Sequence, residues 1–152
     1  MPVRAVVGIL SDTHGELDPA IDRVFSGVDH IIHAGDIGDT DILERLELIA
    51  PLTAVQGNTD RGWLPWLETT ERAQVAGCRI RVVHDLGDAG GRIPAETDVV
   101  VSGHTHIARI DERAGVLFVN PGSASDPRGD LGPSVALLEI DEHGIVARII
   151  EL

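Results

Sequence analysis

Short apolar runs, each closed by Gly, Asp, Asn or His, recur along the first two thirds of the chain. Residues 3–10, 30–34, 52–55, 79–83 and 97–102 have strand length and are rich in β-branched side chains. Continuous apolar runs of that length predict strands buried on both faces. Between the first two runs, residues 19–25 place Ala20, Ile21, Val24 and Phe25 at helical spacing. Asp18 supplies an N-cap ahead of Pro19 at the first helical position. Residues 41–49 repeat the device with Ile42, Leu43, Leu46 and Ile49 on one face. Strand, helix, strand, helix, strand predicts a parallel, right-handed α/β start.

The second half changes character. Residues 107–113, 116–119, 134–140 and 145–151 read as strands, joined in pairs by tight turns at 112–115 and 141–144. Tight turns between such runs predict antiparallel pairing. Helix-like sequence is scarce after Leu67, and residues 85–94 are too glycine-rich for a good helix. The expectation is an α/β domain spanning 1–152, with a mixed sheet or a pair of sheets flanked by helices.

Composition narrows the partners. The chain carries a net charge of −13, and its twelve basic residues are all arginine. Such a surface repels duplex nucleic acid and anionic membrane alike. Cys78 is the only cysteine, so no intrachain disulfide can form. A reducing compartment suits that usage, and no run reaches membrane-spanning length; the expected location is the cytoplasm. Cys78 reads as a small buried hydrophobe; a tyrosine-phosphatase-like loop would need arginine six residues after it, where His84 stands.

Metal-ligand residue types stand at the carboxyl end of strand after strand: Asp12 and His14, Asp36, Asn58, His84, His104 and His106. Ligands in open α/β sheets bind beyond those ends. Gly35, Gly57 and Gly103 directly precede three of these positions, where the backbone must turn sharply or approach a ligand closely. Two carboxylates, one amide and four imidazoles are enough for two metal ions about 3.5–4 Å apart. A mixed N/O set without thiolate suits Mn, Fe, Ni, Co or Zn. His30, His33 and His143 read as non-ligands. Asp39-Thr40-Asp41 opens a helix, so capping explains it better than an aspartyl nucleophile.

The ordered series Asp12-x-His14, Gly35-Asp36, Gly57-Asn58-x-Asp60, His84 and Gly103-His104-x-His106 resembles the calcineurin-like metallophosphoesterase superfamily, in its small prokaryotic phosphodiesterase branch. The segment Asn120-Pro121-Gly122-Ser123 is similar too. The resemblance implies a four-layer α/β/β/α sandwich and hydrolysis of phosphate esters by a metal-activated hydroxide. It implies Asp12, His14 and His106 at one divalent ion, Asn58, His84 and His104 at a second, and Asp36 bridging the two, with Mn the foremost metal. Asp36, Asn58 and His104 take the catalytic assignments, and Asp60 and Asn120 orient imidazoles from behind.

Two residues depart from that pattern. Thr59 stands where many members carry a histidine able to protonate the leaving group, and Asp85 follows His84 where glycine is usual. The expected substrate is therefore a small phosphodiester with a good leaving group. A non-catalytic interaction scaffold, as in the retromer subunit similar to this superfamily, and a phosphomonoesterase are the alternatives. Trp63 and Trp66 read as packing of the loop after Asp60, or else as a base-stacking wall or a homo-oligomer contact. Arg61 and Arg128 read as solvated, with contact to a substrate phosphate as the alternative.

Overall fold

Among the described residues, ten strands form two stacked sheets accompanied by two helices. The structure is a computed structural model that describes residues 4–89 and 93–152. In chain order the elements are β1 (Ala5–Leu10), α1 (Ala20–Val24), β2 (His30–His33), α2 (Thr40–Glu47) and β3 (Leu52–Ala54). Then come β4 (Thr70–Val75), β5 (Cys78–Val83), β6 (Val99–Val101), β7 (Ala108–Arg113), β8 (Val116–Pro121), β9 (Ser134–Asp141) and β10 (Gly144–Glu151). Single 3-10 turns lie at Asn58–Asp60 and Leu86–Ala89. The first sheet runs β10-β9-β1-β2-β3 and the second β4-β5-β6-β8-β7. Val3, the start of the first expected strand, and residues 90–92 of the glycine-rich loop lie outside the described residues.

Alternation along β1 explains the layering. Val7 and Ile9, with Leu138 of the neighbouring β9, face the second sheet, where Val82, Val99 and Val101 complete an aliphatic inter-sheet core. Leu10 faces the other way, into a core shared with Ile21 and Phe25 of the α1 segment and Ile42 and Leu46 of α2. Gly8 lets α1 approach: a Cβ there would sit 2.8 Å from the Phe25 ring. Both predicted helices form. The Asp18 carboxylate accepts from the Ala20 N–H at 2.9 Å, and Asp39 accepts from Asp41 N–H at 2.9 Å. Asp39 is thus a helix cap, as its place in the sequence indicated.

The fold is α/β, with helices outside the first sheet and the two sheets face to face. Outside the second sheet, the described residues place the 3-10 turn Leu86–Ala89, with Leu86 beside Ser102 and Phe118. Strands β1, β2 and β3 are mutually parallel, as are β5, β6 and β8. The expected antiparallel C-terminal pairs exist as β7–β8 and β9–β10, but the two pairs belong to different sheets. One strand was not expected. β4 carries Thr70, Glu71, Arg72 and Gln74, so its polarity hides it from a search for apolar runs. Its partner β5 is reached through Ala76 and Gly77, both with positive φ (49° and 80°), as a two-residue hairpin turn requires. No helix among the described residues is long and apolar enough to cross a membrane.

Candidate metal centre

The parallel strands of both sheets deliver all seven candidate ligands at their carboxyl ends. Asp12 and His14 leave β1, Asp36 follows β2, and Asn58 opens the 3-10 turn after β3. His84 ends β5, while His104 and His106 lie between β6 and β7. Five of the seven (Asp12, His14, Asp36, His104, His106) have φ between 47° and 73°. Left-handed backbone is uncommon outside glycine and costs on the order of 1–3 kcal/mol when held. That strain persists because the loops around it over-determine the backbone, and it aims each side chain back over the strand end.

The side chains form two triads, Asp12–His14–His106 and Asp36–His84–His104, each with one donor atom per residue within 4.8 Å of the others. They interlock. Asp36 Oδ2 lies 3.3 Å from His84 Nε2 of its own triad and 3.7 Å from His14 Nε2 of the other. Asn58 Oδ1 adds a neutral oxygen 2.9 Å from His84 Nε2 and 3.2 Å from His104 Nδ1. The three histidines read as non-ligands lie outside both triads. His30 bonds Thr53 across β2–β3, His33 is a fully buried bridge, and His143 sits exposed in the β9–β10 turn.

These residues fit divalent cations on their own chemistry. His106 Nδ1 faces the Asp126 carbonyl at 2.6 Å and His84 Nδ1 faces the Ala34 carbonyl at 2.7 Å. Donating there, each imidazole turns its Nε2 inward. Asp12 Oδ1 is buried and accepts no hydrogen bond, although His106 Nε2 is only 3.3 Å away. His14 Nε2 and His106 Nε2 are 3.2 Å apart. Buried acceptors pointed at one another are costly unless a cation or proton sits between them.

Charge within the cluster is coupled. Burial works against ionisation of Asp36, yet hydrogen bonds from His84 and the Thr59 backbone N–H, with the His84 charge, hold its carboxyl below the usual carboxylate range. Burial alone would make His84 a weaker base. The Asp36 hydrogen bond and the charges of Asp36 and Asp12 outweigh it and raise its proton affinity. Burial pushes the Cys78 thiol up to about 11, with the Asp98 charge adding to the effect, so Cys78 is an inert core residue.

Behind the cluster, backbone-directed hydrogen bonds do most of the holding. Asp60 accepts from the N–H groups of Ile37, Gly38 and Gly57 at 2.9–3.1 Å, clamping the Asp36 loop to the Asn58 turn. Asn120 donates to the Gly103 carbonyl and to Thr105 Oγ1, both at 3.1 Å. Asp60 and Asn120 were expected to orient imidazoles; both orient the ligand loops instead. Ser123 and Ser125 were not singled out individually, yet their hydroxyls donate to the carbonyls of Asp12 and Thr13. The expectation that Trp63 and Trp66 pack the loop is also corrected: they are 73% and 63% exposed, and Leu64 fills the core there.

His33 ties the first two ligand loops together. Its Nδ1 accepts from Gly35 N–H at 3.1 Å and its Nε2 meets Thr13 Oγ1 at 3.0 Å, while that hydroxyl donates to the Ile37 carbonyl at 2.8 Å. Burial first, then the His84 charge, lower its pKa from 6.5 to about 3; Asp36 opposes and His14 adds to the lowering. His33 is therefore neutral when folded. Its contribution to stability is intact above the unfolded value of 6.5 and is lost as pH falls from there towards about 3. Between pH 7 and pH 5 the loss is about 2 kcal/mol. Urea unfolding of chelator-treated protein at the two pH values measures it. The pH difference should shrink in His33→Asn; an equal difference in both proteins would count against this role.

The surroundings agree with this chemistry. The model of the "Calcineurin-like phosphoesterase superfamily domain" matches residues 6–143. A "Probable metallophosphoesterase" of Methanothermobacter thermautotrophicus is 35% identical, over 95% of this chain and 91% of its own. "Phosphodiesterase YfcE" of Escherichia coli is 29% identical, over 90% of this chain and 89% of its own. In fold the chain is similar to Vacuolar Protein Sorting 29 from Cryptosporidium parvum, with a TM-score of 0.75 and 19% identity over 99% of both chains. With its strand-end donors in order across the matched region, this chain belongs to the calcineurin-like phosphoesterase superfamily.

Proposed function

We propose that the chain is a dinuclear metal-dependent phosphodiesterase. The observation that carries this reading is the place of Asp36, whose Oδ2 lies within 4 Å of an imidazole from each triad. A carboxylate in that place lets two cations sit close together by offsetting their mutual repulsion. Asp12, His14 and His106 would hold one ion, Asn58, His84 and His104 the other, and Asp36 would serve both. Two such ions, Mn²⁺ foremost, supply Lewis acidity toward phosphate oxygens and lower the pKa of a bound water.

The protein's own contribution is orientation and charge. Carbonyls of Ala34 and Asp126 fix the inward faces of His84 and His106. Thr59 gives its backbone N–H to Asp36 Oδ1 at 2.9 Å and so positions the central carboxylate. Its hydroxyl is a poor acid at neutral pH, so position 59 offers no proton to a departing alkoxide. A diester with a good leaving group tolerates that lack; an unactivated monoester does not. A purely structural scaffold would have no use for strained backbone at five donors or for the buried, unpartnered Asp12 oxygen.

The test is turnover with Mn²⁺ added. The specificity constant for bis(p-nitrophenyl) phosphate should exceed that for p-nitrophenyl phosphate. Faster monoester turnover would overturn the diester assignment, and no turnover of either would return the scaffold reading to first place.

A further inference from the structure

A cavity of about 240 Å³ opens beside the Asn58, His84 and His104 side of the cluster. Gln56, Thr69, Thr70 and Arg61 also line it. Arg61 caps the 3-10 turn that begins with Asn58, and its neighbour Asp60 is pinned by three backbone N–H groups. The Arg61 main chain is therefore set rigidly three residues from a candidate ligand. Among the described residues the Arg61 guanidinium has no carboxylate within ion-pair distance, unlike Arg45, Arg79, Arg109, Arg113 and Arg148.

Asp85, the one acidic residue lining the cavity, is engaged through both carboxylate oxygens. Its Oδ1 accepts from Gly87 N–H at 2.9 Å and its Oδ2 faces His104 Nε2 at 3.7 Å. Besides the candidate ligands and the engaged Asp85, the cavity presents one guanidinium without an ion-pair partner, two threonines and the Gln56 amide, on a chain whose net charge is −13. A planar guanidinium is suited to paired hydrogen bonds with an oxyanion, and less suited to a neutral alkyl or aryl group. The volume suits a small polar arm; drug-sized ligands need about 300 Å³ or more.

We infer that Arg61 selects phosphodiesters in which one ester arm carries a second anionic group, a carboxylate or a phosphate, lying in this cavity while the scissile phosphorus lies at the metal cluster. This inference rests on the phosphodiesterase reading. The step itself is unchanged: water adds to phosphorus and gives up a proton to solvent, the bond from phosphorus to one ester oxygen breaks, and the departing alkoxide takes a proton from solvent. Arg61 acts through binding and takes no part in proton transfer.

Three p-nitrophenyl diesters, with methyl, 2-carboxyethyl or 2-phosphoethyl as the second arm, test this with Mn²⁺ present. The parent protein should prefer the anionic arms by about tenfold or more in kcat/KM, the scale of a charge-assisted hydrogen-bond pair. Arg61→Met should abolish that preference and leave the methyl diester within about twofold of the parent. Arg61→Lys should restore part of it. Calorimetric binding of phosphoglycolate against methyl phosphate should show the same difference without turnover. A stronger preference for the phosphate arm marks phosphate as the natural group; a stronger preference for carboxylate marks that instead. Equal rates on all three arms in the parent, or a preference that survives in Arg61→Met, would overturn the role of Arg61 alone. Failure to cleave any of the three would overturn the phosphodiesterase reading with it.

Discussion

The Asp36→Ala variant is expected to lose more than about a hundredfold in phosphodiester turnover and to bind fewer than two metal ions per chain. Partners one step removed from a metal already cost about 10–100-fold in affinity or activity when altered. Asp36 stands closer than that. Its Oδ2 is the point where the two triads meet, and the hydrogen bonds from His84 and Thr59 hold it ionised. Removing it leaves two groups of imidazoles that repel each other once each holds a cation. Asp36→Asn separates charge from shape, because an amide oxygen still accepts the Thr59 N–H that Asp36 Oδ1 accepts at 2.9 Å. That variant should fold with parental stability and fail in the same way. Metal analysis after gel filtration, with turnover of bis(p-nitrophenyl) phosphate, decides it. Two ions per chain and retained activity in Asp36→Ala would remove the basis for a dinuclear centre.

The half of the fold made from β1, α1, β2, α2 and β3 was legible because burial there is one-sided for helices and two-sided for strands. Val7, Ile9 and Leu10 must all be apolar when each face of β1 is covered. Asp18 and Asp39 marked the helix starts through the backbone N–H groups they accept. β4 was illegible for the complementary reason. It is the edge strand of the second sheet, so Thr70, Arg72 and Gln74 can be exposed, and edge strands favour charge because it discourages further pairing. The Ala76-Gly77 turn was the remaining signal, weaker than Asn-Gly because alanine does not advertise positive φ.

The donor set was legible from position and residue type; its supports were not. Each donor follows an apolar run and belongs to a short list of ligand types. Residues such as Ser123, Ser125 and Asp126 act through main-chain carbonyls or on them, and a carbonyl has no sequence signature. His33, read as a non-ligand, and Asp60, expected behind an imidazole, both serve as buried clamps of the ligand loops, which only their hydrogen-bond partners reveal. Trp63 and Trp66 show the opposite error, since large apolar side chains were expected to pack and instead face solvent. The strain at five donors was equally hidden, because aspartate and histidine enter the left-handed region only when neighbouring loops hold them there.

Those holding loops leave no room at Gly57, and Gly57→Ala is expected to cost about 1–3 kcal/mol and most of the metal affinity. The φ of Gly57 is −88°, so any residue could adopt its backbone; space alone demands glycine. A Cβ there would collide with both the Asp36 backbone nitrogen and its Oδ1, and would stand 2.9 Å from Asp36 Cα. Main chain cannot swing aside as a flexible side chain does. The Asp36 backbone is already at φ 55° and its loop is held by Asp60, so the displacement passes directly into the carboxylate between the triads. Gly62→Ala is the matched control, five residues on in the same loop, with nothing within 4 Å of its added methyl. It should change stability by less than about 0.5 kcal/mol and leave metal content unaltered. Thermal unfolding and metal analysis of the two variants side by side make the comparison. If Gly57→Ala matched Gly62→Ala in both, the close fit between the Asn58 turn and the Asp36 loop would not be what sets the position of the central carboxylate.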